Sequence, residues 1–333
     1  MSLLIMKPGL LTTVQDLGRY GYQQYGVIAG GAMDSYALRM ANLLVGNDER
    51  EAGLEMTVTG PEITFAEPSL ISICGGGLSP MLDEHPLPLW RTVYAPKGAR
   101  LHFGRLSRGC RAYLAVAGGI EVPVQLNSRS TYLRAGIGGH QGRALRSGDV
   151  LPIGTPTHRG NIWTEMLTKV QGPENLSVSR WFPAYNLIPS YLETPVLRVI
   201  AGEEFPAFSE ESRERFLSEP FMILPQSDRM GYRLTGSSLN LVREQSLISS
   251  AVTYGTVQVP AGGSPIILMA DRQTTGGYPK IAQVITADLP LLAQAKIGSD
   301  VRFRLITLQE AQEQLLQQEL ELRRLRIVLE HYY

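Results

Sequence analysis

Asp300-Val-Arg-Phe-Arg-Leu-Ile306 is the clearest strand in the chain. Val301, Phe303 and Leu305 alternate with Arg302 and Arg304, a period of two that buries one face and leaves the other wet. Similar runs extend outward from it. Pro195-Val-Leu-Arg-Val-Ile200, Gly255-Thr-Val-Gln-Val-Pro260 and Pro265-Ile-Ile-Leu-Met-Ala270 precede it in the second half. Ser69–Cys74, Ala99–Gly104 and Arg111–Ala117 are their counterparts in the first half. Gly and Pro interrupt nearly every gap between runs. Strand follows strand without the long helical patterns of βαβ units, so the chain reads as mainly β, a barrel or sandwich.

Helices are few. Asp34 precedes Ser35–Val45, with Leu38, Ala41, Leu44 and Val45 as an apolar stripe and Gly46 as the stop, the pattern of a helix capped at both ends. Glu210–Leu217 reads as a second short helix. Thr307-Leu-Gln-Glu310 fits a capping box opening a long C-terminal helix. Leu308, Leu315, Leu322 and Leu329 recur every seven residues, with Ala311 and Leu325 beside them. Such a stripe docks on the protein's own body or forms a seam with a second copy. Thr155–Leu176 reads as a loop or insertion.

Two internal echoes point to two related barrels. Leu145-Arg-Ser-Gly-Asp-Val-Leu-Pro-Ile153 resembles Ala295-Lys-Ile-Gly-Ser-Asp-Val-Arg-Phe303, each a turn with Gly followed by a strand. Gln15-Asp-Leu-Gly-Arg19-Tyr-Gly-Tyr22 resembles Gln226-Ser-Asp-Arg229-Met-Gly-Tyr232. The break is expected in the Pro-rich stretch Gly172–Thr194. A length of 333 residues agrees, because single cores rarely grow past ~250–300 residues.

Composition excludes several classes. Lys+Arg and Asp+Glu both total 31, so the chain lacks the basic footprint of a nucleic-acid binder. Cys74 and Cys110 are too few for a disulfide framework, and the five histidines are not at metal-ligand spacing. The N-terminus lacks the basic region of a signal peptide, and no run reaches the ~20 apolar residues of a membrane helix. A cytoplasmic protein is expected.

Four Gly-flanked polar segments are where chemistry could sit: Thr12–Tyr22, Gly30–Asp34 with Arg39 and Asn42, Gln226–Arg233, and Met269–Lys280. Gly136-Ile-Gly-Gly-His-Gln-Gly142 could cradle an anion, but it lacks the Lys-Ser/Thr of a P-loop and reads as corner turns. No Gly-x-Ser-x-Gly, Cys–His arrangement or spaced acid pair is present, which argues against a self-contained hydrolase.

Five of these motifs together resemble a known family. Pro8-Gly-Leu-Leu-Thr-Thr-Val-Gln-Asp-Leu-Gly-Arg19, Gly31-Ala-Met-Asp34 with Arg39–Asn47, Tyr113-Leu-Ala-Val-Ala-Gly-Gly119, Ser227-Asp-Arg-Met-Gly-Tyr-Arg-Leu234 and Gln273-Thr-Thr-Gly-Gly-Tyr-Pro279 are similar to the biotin-dependent carboxyltransferase family of allophanate hydrolase subunit 2, with its KipA and PxpC members. The resemblance spans about residues 3–306. It implies two tandem cyclophilin-like β-barrels, here residues 1–188 and 189–306, followed by a helical tail at 307–333. It implies a cyclophilin-like subunit 1 partner of the KipI or PxpB kind. In the 5-oxoprolinase branch, toward which Gln273-Thr-Thr leans, it implies a PxpA-like (LamB/YcsF) subunit as well, with ATP used by the assembled complex. Biotin enters only under the carboxyl-transfer alternative, and a KipA-type regulator that binds a kinase-inhibitor subunit is the other alternative.

Urea and 5-oxoproline both present a planar amide. A site for either needs a cation or donor at the oxygen, where charge develops, and an acceptor at the nitrogen. Lys280 and Arg229 are candidates for the oxygen side; Asp271, Asp34 and Asn42 are candidates for the nitrogen side. Lys280, Arg229 and Asp271 form the candidate catalytic set. Asp34, Asn42, Arg19, Gln273 and Tyr278 form the candidate substrate-binding set.

Overall fold

The computed structural model describes residues 1–169, 177–243 and 246–331. The chain divides into two compact units. The first comprises Met1–Arg19, Asp34–Pro189 and Glu321–Tyr333, and the second Tyr20–Met33 and Ser190–Leu320. Tyr20–Met33 joins the second unit because its backbone is held there by side chains: Arg229 donates to the Gly31 carbonyl at 2.6 Å and the Tyr254 hydroxyl to the Met33 carbonyl at 2.9 Å.

In the first unit two six-stranded sheets enclose one core. One runs in the order Val150–Pro152, Ser2–Lys7, Glu62–Phe65, Arg100–Leu106, Leu78–Leu82, His85–Pro86. The other runs Ser177–Val178, Thr92–Ala95, Ser69–Gly75, Arg111–Val116, Gly53–Thr57, Leu11–Gln15. Leu3, Ile5, Ile63 and Leu101 from the first sheet meet Leu54, Ile71, Ile73 and Leu114 from the second, all buried. Strands Ser69–Gly75 and Arg111–Val116 are buried on both faces, because helix α1 (Ser35–Leu44) covers the outer side. Asp34 caps α1 as the sequence predicts, its Oδ1 accepting from Ala37 N at 2.9 Å.

The second unit is a closed seven-stranded barrel. The order is Val196–Ala201, Lys280–Val284, Thr256–Gln258, Ile266–Leu268, Gly231–Thr235, Phe221–Ile223, Asp300–Leu305, and closure is a parallel pairing of the first and last strands. Val301 and Phe303 point inward as their alternation predicts, whereas Leu305 at the end of the strand is 40% exposed. Phe303 stacks on Phe216 of helix α3 (Glu210–Ser218), ring centroids 4.4 Å apart. That contact seats the helix on the barrel.

The first sequence echo is a structural one. Gly148 N–H donates to the Ile5 carbonyl at 2.8 Å, and Ile5 N–H to the Asp149 carbonyl at 2.9 Å. In the second unit Gly298 N–H donates to the Ile223 carbonyl at 2.8 Å, and Ile223 N–H to the Ser299 carbonyl at 2.9 Å. Both glycines are left-handed, with φ of 88° and 83°, a conformation costly for any residue with a Cβ. In each unit the same turn hands the chain to a strand, Val150–Pro152 in the first and Asp300–Leu305 in the second.

Two elements depart from the sequence reading. Thr155–Leu176, expected as a loop or insertion, contains helix α2 (His158–Lys169); residues 170–176 lie outside the described ones. Gly160, Trp163 and Leu167 are its buried positions, and Gly160 N–H donates to Thr157 Oγ1 at 3.1 Å, a cap that Thr supplies. A narrow stripe among polar residues hides such a helix. A short helix α4 (Leu289–Gln294) also precedes the last strand. The tail is one helix, α5 (Leu308–His331), opened by the predicted capping box: Thr307 N–H donates to Glu310 Oε2 at 2.7 Å, and Glu310 N–H to Thr307 Oγ1 at 3.2 Å. Of its seven-residue stripe, Leu322 and Leu329 are buried, with Leu325 between them, whereas Leu308 is 59% exposed. The C-terminal part docks within the first unit, where Arg159 Nη2 lies 3.2 Å from Glu330 Oε1 and Arg326 Nη1 3.8 Å from Glu49 Oε1.

Candidate active site

Five of the eight sequence-chosen residues lie in the second unit: Arg229, Asp271, Gln273, Tyr278 and Lys280. Arg229 sits in the turn before strand Gly231–Thr235. Asp228 Oδ1 accepts from Met230 N at 2.8 Å and Gly231 N at 3.2 Å, a turn Asp closes on its own backbone. Arg229 then faces inward. Its Nε donates to Asp271 Oδ2 at 2.9 Å and its Nη2 to Asp271 Oδ1 at 3.0 Å, with both side chains under 10% exposed. Asp271 N–H also donates to the Arg229 carbonyl at 2.8 Å. This planar two-pronged pair sets the conformation of the Met269–Gln273 turn.

Arg272, the next residue, is half-buried. Its Nε and Nη1 reach the carbonyls of Val252 and Ala270 at 3.4 and 3.5 Å. Among the described residues no carboxylate lies within ion-pair distance of it. Burial pushes its guanidinium below the ordinary arginine value, opposed by Tyr20, Tyr254 and Asp271. A desolvated cation without a close anion favours an incoming one.

The Gly-Gly-Tyr-Pro turn forms the rim of an adjoining feature of the same unit. Thr275–Gly276 pairs with Ser250–Ala251 in a two-stranded ribbon. Beneath it, buried Gln258 donates from Nε2 to the Tyr278 carbonyl at 3.4 Å, and Val259 N–H to the Pro279 carbonyl at 2.9 Å. Tyr278, Pro279, Val259, Leu239, Leu241 and Phe208 line a cavity of about 340 Å³. Polar and apolar groups share its lining, Asn240 among the polar ones, a mixture that can hold a small organic ligand. Lys280 follows: its backbone N–H donates to Glu204 Oε2 at 2.9 Å, and its Nζ lies 3.8 Å from Glu204 Oε1 and 3.9 Å from Glu203 Oε2. Tyr278 and Gln273 are exposed.

Arg19, Asp34 and Asn42 belong to the first unit, and all three are fully buried. Arg19 donates from Nε to the Gln125 carbonyl at 3.2 Å and from Nη2 to the Ser130 carbonyl at 2.5 Å. Besides capping α1, Asp34 donates its N–H to the Tyr113 hydroxyl at 2.7 Å, which donates to Glu55 Oε2 at 2.8 Å. Asn42 Nδ2 donates to the Glu51 carbonyl at 2.7 Å and its Oδ1 accepts from Asn47 at 3.0 Å. These contacts tie loops to the core. The glycines of Gly136–Gly142 have the corner role the sequence predicts: a Cβ at Gly138 or Gly139 would strike Ser130 or Thr131.

Three residues that the sequence reading left out of the site stand beside it: Arg272, Gln258 and Glu204. Arg272 had a signal, since it lies inside the Met269–Lys280 segment. Gln258 shows as a polar residue in an apolar strand. Glu204 had none, because its role depends on a strand pairing that brings Lys280 to it from 76 residues away. Among the described residues, no group of three or more His, Cys, Asp or Glu could hold a metal, and no helix is long and apolar enough to cross a membrane.

Residues 25–305 match the family model described as carboxyltransferase domain, subdomain A and B. The chain is 40% identical to the C subunit of the 5-oxoprolinase of Escherichia coli, over 93% of each chain. It is 37% identical to the corresponding 5-oxoprolinase C subunit of Haemophilus influenzae, over 96% of each. Among solved structures, the urea amidolyase of K. lactis superposes with a TM-score of 0.87 at 29% identity, covering 97% of this chain and 20% of that one.

Proposed function

We propose that this chain, which belongs to the family of carboxyltransferase domains with subdomains A and B, is the C subunit of a 5-oxoprolinase that opens 5-oxo-L-proline to L-glutamate. The observation that carries this reading is the 40% identity to a 5-oxoprolinase C subunit across nearly the whole of both chains. The likeness to urea amidolyase covers only a fifth of that larger protein, and it supports the shared scaffold more than a shared substrate.

In the proposed reaction water adds across the lactam: the C–N bond breaks, a C–O bond forms, and the freed nitrogen takes a proton. A lactam carbonyl is a weak electrophile, so the oxygen needs activation. ATP, bound by the assembled complex, would supply it by passing its γ-phosphoryl to that oxygen as ADP leaves, and a second water then releases phosphate from the activated ring. Within this chain Lys280 stabilises charge at the lactam oxygen. The 340 Å³ cavity beside Tyr278 takes the five-membered ring. Arg272, which among the described residues has no carboxylate within ion-pair distance, takes the substrate's carboxylate. Arg229 and Asp271 hold that turn in place.

The partners in this reading are a cyclophilin-like subunit 1 protein of the PxpB kind and a PxpA-like subunit. The test is glutamate release from 5-oxoproline and ATP by the three subunits together. Release by the complex and none by this chain alone is the expected result. Absence of glutamate from a fully assembled complex overturns the reading; carboxylation of urea by a biotin-bearing partner would replace it with carboxyl transfer.

A further inference from the structure

Helix α5 carries a second seam on the side opposite its docked leucines. Gln309, Glu313, Leu316, Leu320, Arg323 and Ile327 follow the alternating four- and three-residue spacing of coiled-coil core positions. With 3.6 residues per turn they fall within an arc of roughly 80°. Leu322, Leu325 and Leu329 occupy the other side and are buried. On the outer face Leu316 is 60% exposed, Leu320 38% and Ile327 46%, and Gln309, Glu313 and Arg323 are exposed too. Glu313 accepts only from Gln309 of its own helix, at 3.0 Å, and Arg323 has no ion-pair partner among the described residues.

The charges on this seam are self-complementary in one orientation. Leu316 and Leu320 stand two residues either side of position 318, Glu313 and Arg323 five either side, and Gln309 and Ile327 nine either side. We infer that this face is the docking surface for a second copy of the chain, running antiparallel about a twofold axis level with residue 318. Each Leu316 then meets the other copy's Leu320, and each Glu313 its Arg323, every contact occurring twice as an isologous interface requires. A parallel pairing sets Glu313 on Glu313 and Arg323 on Arg323, and like charges oppose it. The helices touch over about 27 Å, at 1.5 Å per residue. A contact of that size is at the small end of specific interfaces, so the association is reversible.

The experiment uses the full chain alone, with its mass followed by light scattering up to about 100 µM, a range that reports a micromolar Kd. Wild type is expected to move from monomer toward twice the monomer mass. Glu313→Arg and Arg323→Glu each lose that shift. An equimolar mixture of the two recovers it, because every pairing across the axis is again Arg with Glu, and so does the double variant. Unchanged helix content and Tm identify the single variants as folded. Wild type that stays monomeric overturns the inference. So does an undiminished dimer in Glu313→Arg, or a mixture that fails to recover it.

Discussion

Arg229 and Asp271 meet as a buried two-pronged ion pair, 2.9 and 3.0 Å long, between residues 42 positions apart. Removing one partner leaves a charge without its counterion in a place where water cannot compensate. Asp271→Ala is expected to cost about 3–5 kcal/mol of stability, measured by urea denaturation. Replacing both residues with apolar ones of similar volume costs less. An Asp271→Ala variant as stable as wild type would mean that the pair contributes little.

Arg272 differs from its neighbour: among the described residues its hydrogen bonds are two long ones to carbonyls. Arg272→Ala should therefore leave Tm nearly unchanged. In the assembled complex it should raise KM for 5-oxoproline about tenfold, ~1.4 kcal/mol of binding, with Arg272→Lys intermediate. An unchanged KM removes Arg272 from the substrate carboxylate.

Lys280 is held at its backbone by Glu204, so its side chain can be changed without releasing the strand. Lys280→Ala is expected to lower turnover of the complex about tenfold or more, ~1.4 kcal/mol in barrier. Lys280→Arg keeps the charge and should be milder. Steady-state kinetics with normal circular dichroism decide this, and full turnover in the alanine variant excludes Lys280 from the site.

Asp149 gives the first unit a defined acid sensitivity. Arg143 hydrogen bonds, both 2.8 Å, hold its carboxyl at about 2 against an ordinary 3.8. A lowered carboxylate stabilises the fold above its unfolded value, and that contribution fades as pH falls from about 4 through 2. Asp149→Asn should be about 1 kcal/mol less stable than wild type at pH 7, the shift being reduced by solvent screening, with the gap closing at pH 2. A gap independent of pH would assign the effect to packing.

The docked part of α5 rests on Leu322, Leu325 and Leu329. Leu325→Ala removes a buried side chain and should cost about 2–4 kcal/mol, read as a lower denaturation midpoint. It leaves the outer seam intact, so any self-association should persist. A midpoint equal to wild type would mean that the helix is solvated there.

Period-two runs, Gly-rich corners and the caps at Asp34 and Thr307 were all readable without coordinates, because they depend on neighbours within a few residues. The turn echo at Gly148 and Gly298 was readable for the same reason: a left-handed turn needs glycine wherever it occurs. Helix α2 was less so, since its stripe of Gly160, Trp163 and Leu167 is set by what it packs on.

Residue chemistry marked Arg229, Asp271 and Lys280 as candidates, and the Asp-Arg-Gln and Gly-Gly-Tyr-Pro motifs marked the turns that carry them. That Arg272 lacks a close carboxylate among the described residues was settled by the fold. Adjacent arginine-bearing segments look alike in one dimension, yet Asp271 reaches Arg229 and Arg272 reaches only carbonyls. The tail shows the same division. Its heptads are written in the sequence, and there are two of them; burial of one against the first unit, a contact between residues as far apart as Arg159 and Glu330, determined which face was left to solvent.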